Sequence, residues 1–332
     1  MLKIMGNKNK NKSWLTIHLE YGITVCLMTP IRLLPLRAAY KLSCLIFRLL
    51  YIFDARHRKR TISHLLHSGV AATETEAKLL AKTNYNHFGK VAVEVIKFDQ
   101  IVNKENAREH FSFNGPDEIK KRFLTFGSEE PAIIVTAHCG NWEMAGNSYA
   151  YFSNITLTSI MRKLGNQKLG KLIYGRREGK KHKIVPKDKG LRPLLSALKK
   201  GESVAIVADQ HASTTEGVDT VFFGHPARSH ATPALLHLRT GTPIIVGIVR
   251  RLDNDFHFEL RIDDCLVYEP TDDKEGDIKK LTQMYTSSLE KLIRETPEQW
   301  LWAHRRWLNI NRKYSKFQKE TTQNEKEHCT QP

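Results

Sequence analysis

Residues 132–146 read Ala132-Ile-Ile-Val-Thr-Ala-His138-Cys-Gly-Asn-Trp-Glu143-Met-Ala-Gly146. A short apolar run delivers the chain to His138. Gly140 then permits a tight turn, and Asn141 carries the kind of side chain that caps a following helix. A strand that passes through a glycine turn into a helix is the repeating unit of an α/β protein. Five residues separate His138 from Glu143. On one continuous helix they would stand about 140° apart and could not meet. With His138 on the strand-end turn and Glu143 in the first helical turn, a His–Glu hydrogen bond becomes feasible. A neutral imidazole can take a proton from a hydroxyl, and a carboxylate on its other nitrogen fixes the tautomer and stabilises the imidazolium. N–H groups at the helix start, around Gly140 and Asn141, offer a place for an oxyanion.

H-x-x-x-x-E alone is a weak pattern, satisfied equally by a capping histidine beside a solvated glutamate. The strand–glycine–helix setting is what favours chemistry. Cys139 adjoins His138, but neighbours on one turn seldom align for proton transfer, and cysteine among apolar residues usually packs as an inert side chain. No G-x-S-x-G, G-x-x-x-x-G-K-[ST] or G-x-G-x-x-G occurs in the chain, which removes the common nucleophile-elbow, P-loop and dinucleotide signatures.

Outward from this stretch, Ile155–Ile160, Val204–Val207 and Pro243–Val249 are further strand-like runs bounded by turn or helix signals. The first third reads helical: Thr73 and Glu76 form a capping box ahead of a helical pattern that extends to about Phe98. Near the C-terminus Thr296 and Gln299 suggest a second capping box, with Pro297 at the first helical position. The expectation is an α/β fold with a central mixed β-sheet flanked by helices. It divides into a basic apolar segment over 1–55, a catalytic domain over 56–312 and a disordered polar tail over 313–332.

The chain has 332 residues, 41% of them apolar, enough to fill a core and to exclude overall disorder. Its formal net charge of +17 predicts anionic partners. Five widely spaced cysteines without C-x-x-C fit neither a disulfide framework nor a zinc site. Residues 1–60 hold twelve Lys/Arg against two Asp/Glu, interleaved with apolar stretches. The longest uncharged run within 14–53, Tyr21–Ile31, is about half the ~20 residues a bilayer span requires. That coincidence of apolarity and basic charge predicts an interfacial or re-entrant helical segment at an anionic membrane rather than a cleavable signal or a clean span.

Thr136-Ala-His-Cys-Gly-Asn-Trp-Glu143 resembles the H-x-x-x-x-[DE] signature of the bacterial lipid A biosynthesis (late) acyltransferases. Three further stretches agree in order and spacing. Arg162-x-x-x-Asn166 followed by Arg176 and Arg177 is similar to the family's arginine-bearing segment. Ala208-Asp209-Gln210 followed by Phe222-Phe223-Gly224-x-Pro226-Ala227 resembles its D-Q…F-F-G-x-P-A block. Pro297-Glu-Gln-Trp-Leu-Trp-Ala-His-Arg-Arg-Trp307 resembles its C-terminal segment, the most specific of the four. The resemblance covers most of residues 14–310 and implies a glycerolipid-acyltransferase-like fold. It also implies an enzyme at the cytoplasmic face of the inner membrane that moves an acyl chain from acyl carrier protein, or acyl-CoA, to a hydroxyl of a lipid A precursor. His138 would be the base and Glu143 its partner, with no cofactor or metal. Two departures, Cys139 where an aromatic residue is common and the absence of Asn-Pro after Arg162, fall where chain length or acceptor could be sensed.

Residues 162–200 hold fourteen Lys/Arg and two Asp/Glu. Such a run is commonly a solvated face, but phosphates on an acceptor need guanidinium forks, and Arg162, Arg176 and Arg177 are suited to supply them. The span has few aromatics and no nucleic-acid motif, so nucleic acid is not the expected partner. Asn166, Asp209, Gln210, His304 and Arg305 complete the candidate substrate contacts. Asp209, at the end of a buried-looking strand, could pair with an arginine or cap its loop. Trp300, Trp302 and Trp307 fit core or membrane-facing packing. Acylation of another glycolipid, such as an inositol mannoside, or of a lysophospholipid remains the rival within enzymes. An inactive basic membrane- or nucleic-acid-binding protein is the rival outside them.

Overall fold

A computed structural model describes residues 13–123, 130–161, 165–174, 181–186 and 190–308. Four helices come first: α1 (Trp14–Leu33), α2 (Leu36–Phe53), α3 (Ala55–His67) and α4 (Glu74–Ile101). The short α5 (Ala107–His110), β1 (Phe111–Asn114) and α6 (Asp117–Phe123) follow. The α/β part then runs β2 (Ile133–Thr136), α7 (Trp142–Phe152), β3 (Leu157–Met161), α8 (Gln167–Tyr174), β4 (His182–Pro186), α9 (Arg192–Lys199) and β5 (Ser203–Val207). It ends with β6 (Gly217–Phe222), β7 (His225–His230), α10 (Thr232–Thr240), β8 (Ile244–Arg251), β9 (Phe258–Leu266) and α11 (Lys274–Glu295).

Seven strands form one sheet in the order β1-β9-β8-β2-β5-β3-β4. All neighbours are parallel except the antiparallel pair β8–β9, so the sheet is mixed, as the sequence predicts. β2 lies in the middle, and its alternate side chains serve different clusters. Ile133 and Val135 join Leu194, Leu198, Leu236 and Leu289, whereas Ile134 packs with Ile119, Ile245 and Ile262. Burial on both faces is why these strands read as continuous apolar runs rather than as polar–apolar alternation.

β6 and β7 form a separate hairpin. Its two-residue turn places both Phe223 and Gly224 at positive φ, 53° and 73°, which matches the right-handed twist of the strands. The F-F-G block is thus a structural turn. Phe222 and Phe223 pack against Trp300 and Trp307, and Phe223 also meets Trp302. The three tryptophans are buried core.

α4 begins with the expected capping box, Thr73 and Glu76 reciprocally bonded. The second one expected, at Thr296, is not formed. Pro297–Gln299 is a single 3-10 turn without a side-chain cap, because the Gln299 amide is spent instead on both backbone groups of Arg251, at 2.9 and 3.0 Å.

α1 and α2 pack on α4, and α2 approaches it closely through small residues. Ser43 donates to the Gly89 carbonyl at 2.7 Å, and a Cβ on Gly89 would come within 3.1 Å of the Cys44 Cα. Ile31 and Tyr40 turn inward onto Val93 and Ile96, whereas Leu15, Leu19, Ile23, Leu27, Leu45, Leu49 and Phe53 are exposed. No helix among the described residues is long and apolar enough to cross a membrane. The expected tail, 313–332, lies outside the described residues.

Candidate active site

Parallel pairing builds the site. Thr136 on β2 is in register with Val207 on β5. Two residues beyond each, at the carboxyl ends of these neighbouring strands, stand His138 and Asp209. The Asp209 carboxylate receives three hydrogen bonds: His138 Nδ1–H at 2.8 Å, the His138 backbone N–H at 3.0 Å and the Trp300 indole N–H at 2.7 Å. A carboxylate only accepts, so the proton of the neutral imidazole sits on Nδ1 and the lone pair on Nε2. The Gln210 side-chain nitrogen lies 3.0 Å from Nδ1 and 3.1 Å from Nε2, over the ring rather than along the Nε2 lone pair.

The electrostatics agree with a base oriented by a carboxylate. Burial alone would raise the Asp209 carboxyl, but contact with His138 and the three donors hold it down at about 2. Burial alone would lower the His138 imidazole. The Asp209 charge and hydrogen bond, helped by the charge of Glu143, instead raise it above the ordinary histidine value.

The carboxylate on His138 Nδ1 is therefore Asp209, correcting the expected pairing with Glu143. Glu143 lies in the first turn of α7 and acts on the imidazole through its charge. The partner of His138 comes from the end of the adjacent strand, 71 residues away, and not from the segment that carries the histidine.

The turn itself is tightly specified. Gly140 has φ 61°, and a Cβ there would lie 2.0 Å from the Val249 carbonyl oxygen. The expected capping by Asn141 is present, its Oδ1 accepting from Met144 N at 3.2 Å. The oxyanion role expected of these two residues is not available to their own N–H groups. Gly140 donates to the Gln299 carbonyl at 3.0 Å and Asn141 to the Val249 carbonyl at 2.7 Å. The next N–H groups along, those of Trp142 and Glu143, open α7 and have no acceptor within the helix. Cys139 is buried, and burial pushes its thiol up to about 12, far from a reactive thiolate.

Among the other candidates, His304 is exposed, its ring stacked 6.1 Å from that of His138. Trp142 packs edge-on to the His138 ring at 5.1 Å. Arg305 is exposed beside them in sequence. Arg306, by contrast, is buried. It donates to the carbonyls of Gln210 and Arg228 at 3.1 and 2.9 Å and to Ser229 Oγ at 2.7 Å. The ring of Phe222 lies under its guanidinium. Burial pushes Arg306 down to about 10, so it stays cationic at neutral pH and holds the Gln210 loop.

Asn166 is engaged elsewhere. Its amide donates to the Ile17 carbonyl at 2.8 Å and to Glu20 at 3.0 Å, while its oxygen accepts from Lys168 N and Leu169 N at the start of α8. It ties α8 to α1. Arg162, Arg176 and Arg177 lie outside the described residues. Trp300 as a donor to Asp209 was not anticipated. The one sequence signal for the His138–Asp209 pair is that each stands two residues beyond an apolar strand.

A family model described as bacterial lipid A biosynthesis acyltransferase matches residues 9–309. A phosphatidylinositol mannoside acyltransferase of Mycobacterium tuberculosis is 28% identical over 181 residues, 53% of this chain and 54% of that protein. The chain thus spans about half the length of that relative. A lipid A biosynthesis palmitoleoyltransferase of Escherichia coli is 24% identical over 238 residues, 71% of this chain and 73% of the relative. Among solved structures, the 1-acyl-sn-glycerophosphate acyltransferase of Thermotoga maritima aligns over 80% of this chain and 99% of its own. Its sequence identity is 11% and the TM-score 0.35.

Proposed function

The chain belongs to the bacterial lipid A biosynthesis acyltransferase family, and from that premise we propose that it transfers a fatty acyl chain from an acyl thioester to a hydroxyl of a lipid A precursor. The observation that carries this reading is the His138–Asp209 pair at 2.8 Å, which leaves the Nε2 lone pair as the base.

The acceptor hydroxyl approaches in the ring plane, along the Nε2 lone pair. As its oxygen attacks the thioester carbonyl, its proton passes to His138, and Asp209 remains ionised beside the imidazolium. The tetrahedral oxyanion is held by the first-turn N–H groups of α7, where the helix dipole also favours negative charge. Collapse breaks the C–S bond, and the departing thiolate recovers the proton from His138. No acyl-enzyme is needed, which agrees with the inert Cys139.

The donor is acyl carrier protein or acyl-CoA. The acceptor's phosphates meet the basic segment that contains Arg162, Arg176 and Arg177. The enzyme works on the anionic cytoplasmic face of the inner membrane. Support for this placement comes from the exposed apolar side chains of the first two helices. α1 and α2 bury Thr24, Ile31, Ala39, Tyr40 and Ser43 yet leave Trp14, Leu15, Leu19, Leu33, Ile52 and Phe53 58–80% exposed. Burying them among acyl chains relieves that exposure while exposed Lys41, Arg48 and Arg56 meet headgroups. A phosphatidylinositol mannoside acceptor is the second reading, favoured by the 28% identical relative.

Purified protein assayed with both thioesters against a lipid A precursor, a phosphatidylinositol mannoside and a lysophospholipid, with mass spectrometry of the products, tests the proposal. Acylation of the saccharolipid that disappears in His138→Ala is expected. Preference for the inositol mannoside moves the chain to the second reading, and transfer to none of the three sinks the enzymatic reading altogether.

A further inference from the structure

α4 carries Asn84, His87 and Glu94, all buried and within roughly 80° of one another around the helix. Each spends its side chain on a segment that borders the site. Asn84 donates to the carbonyls of Glu298 and Trp300 at 2.8 and 2.7 Å. His87 Nε2 donates to the Gly140 carbonyl at 3.2 Å, while its Nδ1 accepts from Arg251 Nη1 at 2.8 Å. Burial and the Arg251 cation keep His87 neutral, which fixes that tautomer. Glu94 accepts from Asn141 Nδ2 at 2.8 Å, from Arg251 Nη2 at 3.0 Å and from the Tyr40 hydroxyl at 3.1 Å. It is also ion-paired with Arg251 Nε.

A buried ion pair is weak evidence for stability, since desolvation offsets most of the attraction and apolar replacements often do as well. Its connections here are selective. One branch ends on Gly140 and Asn141, two and three residues after His138. The other runs through Gln299, which bonds both backbone groups of Arg251 and directly precedes Trp300, whose indole holds Asp209; Asn84, on the same face of α4, separately bonds the Trp300 carbonyl. The cluster thus grips both segments whose relative position sets the His138–Asp209 contact.

We propose that Glu94, with Arg251 and His87, is the positioning unit of the catalytic turn, holding His138 and the Asp209–Trp300 pair in reacting geometry. The inference rests on the acyltransferase reading of the site. None of the three touches the reacting atoms; they act through Gly140, Asn141 and Trp300. Misplacing a base by about 1 Å costs on the order of 10²-fold in rate, so a loosened turn lowers turnover without weakening substrate binding.

The test uses the full chain in anionic vesicles with variants Glu94→Gln, Glu94→Asp, His87→Gln and Tyr40→Phe. Two quantities are read: kcat and KM for donor and acceptor, and the titration midpoint of His138 by NMR of 13C-labelled histidine, assigned with His138→Gln. Glu94→Gln is expected to lower kcat on the order of 10²-fold with both KM values within about twofold, and to lower the His138 midpoint as its hold on Asp209 slackens. Glu94→Asp is expected to recover part of the loss, and Tyr40→Phe, which removes one of the hydrogen bonds to Glu94, to cost about threefold to tenfold. Should Glu94→Gln fail to fold, His87→Gln and Tyr40→Phe decide by the same readouts. Folded variants with wild-type kcat and an unmoved midpoint overturn the proposal. A wild-type chain that transfers nothing defeats the acyltransferase reading, and the midpoints then judge the positioning unit alone.

Discussion

Asp209 Oδ1 stands 2.8 Å from His138 Nδ1 across 71 residues of chain, and its other oxygen accepts a hydrogen bond from the Trp300 indole N–H at 2.7 Å. One carboxylate therefore fixes the tautomer of the imidazole and is itself fixed by the C-terminal segment. Asp209→Asn keeps the shape but removes the charge that stabilises an imidazolium. Its kcat is expected to fall by about 10²–10⁴-fold, and adding it to His138→Ala should cost little more, because the two act as a unit. Additive losses in the double variant, measured in single turnovers, would mean that the residues work separately.

The acidity of His138 gives the pH profile a sign. The imidazole is raised by Asp209 and Glu143 against the lowering by burial, and in the proposed mechanism the neutral form is the active one. kcat/KM should thus rise with pH through a midpoint above the ~6.5 of a free histidine. Asp209→Asn should shift that midpoint down and Glu143→Gln should shift it down by less. A wild-type midpoint below the free value would assign the titration to another group.

Gly140→Ala tests the turn. The positive φ of 61° costs an L-residue on the order of 1–3 kcal/mol, and the contact of its Cβ with the Val249 oxygen adds to that. A large drop in Tm together with loss of activity is expected in thermal denaturation. Near-normal Tm would show that the strand β8 can move away from the turn.

The outward side chains of α1 predict how the chain sits on lipid. Leu19→Glu with Ile23→Glu changes two exposed positions and leaves the packing on α4 untouched. Each aliphatic side chain removed from water contributes about 1.5–3 kcal/mol, so vesicle binding should weaken by more than tenfold while the Tm holds. Equal sedimentation of the wild type with neutral and anionic vesicles would remove the electrostatic part of the attachment.

A carrier-protein donor carries a salt signature, since contacts between surface charges are screened over ~8 Å at physiological ionic strength. kcat/KM with acyl carrier protein should fall more steeply with salt than with acyl-CoA. Lys181→Glu reports on docking more cleanly than Lys183→Glu, because Lys183 is already paired with Glu202 at 2.5 Å. A rise in the donor KM alone locates the carrier on this edge, whereas a rise in the acceptor KM alone assigns it to phosphates.

Much of the fold was legible because local chemistry wrote it. The apolar runs became β2, β3, β5 and β8, the Thr73–Glu76 box opened α4, and Asn141 capped α7. The expectations that failed were those in which a side chain had a choice of partners. Gln299 had the spacing of a capping residue but found the backbone of Arg251. Asn166, expected to touch substrate, was taken by α1 and α8. Gly140 and Asn141 gave their N–H groups to Gln299 and Val249 rather than to an oxyanion.

The sequence by itself determined that His138 stands at a strand end, that a glycine must follow two residues later, and which family the motifs resemble. Those features depend on bonds and dihedral angles within a few residues of each other. Only the tertiary structure decided that Asp209 rather than Glu143 faces Nδ1, and that Glu94, His87 and Arg251 stand behind the turn. Those facts depend on which strand lies beside β2 and on which face of α4 turns inward. Strand order and helix facing are set by the packing of the whole core, so the partners of His138 could not be read from its neighbours in the chain.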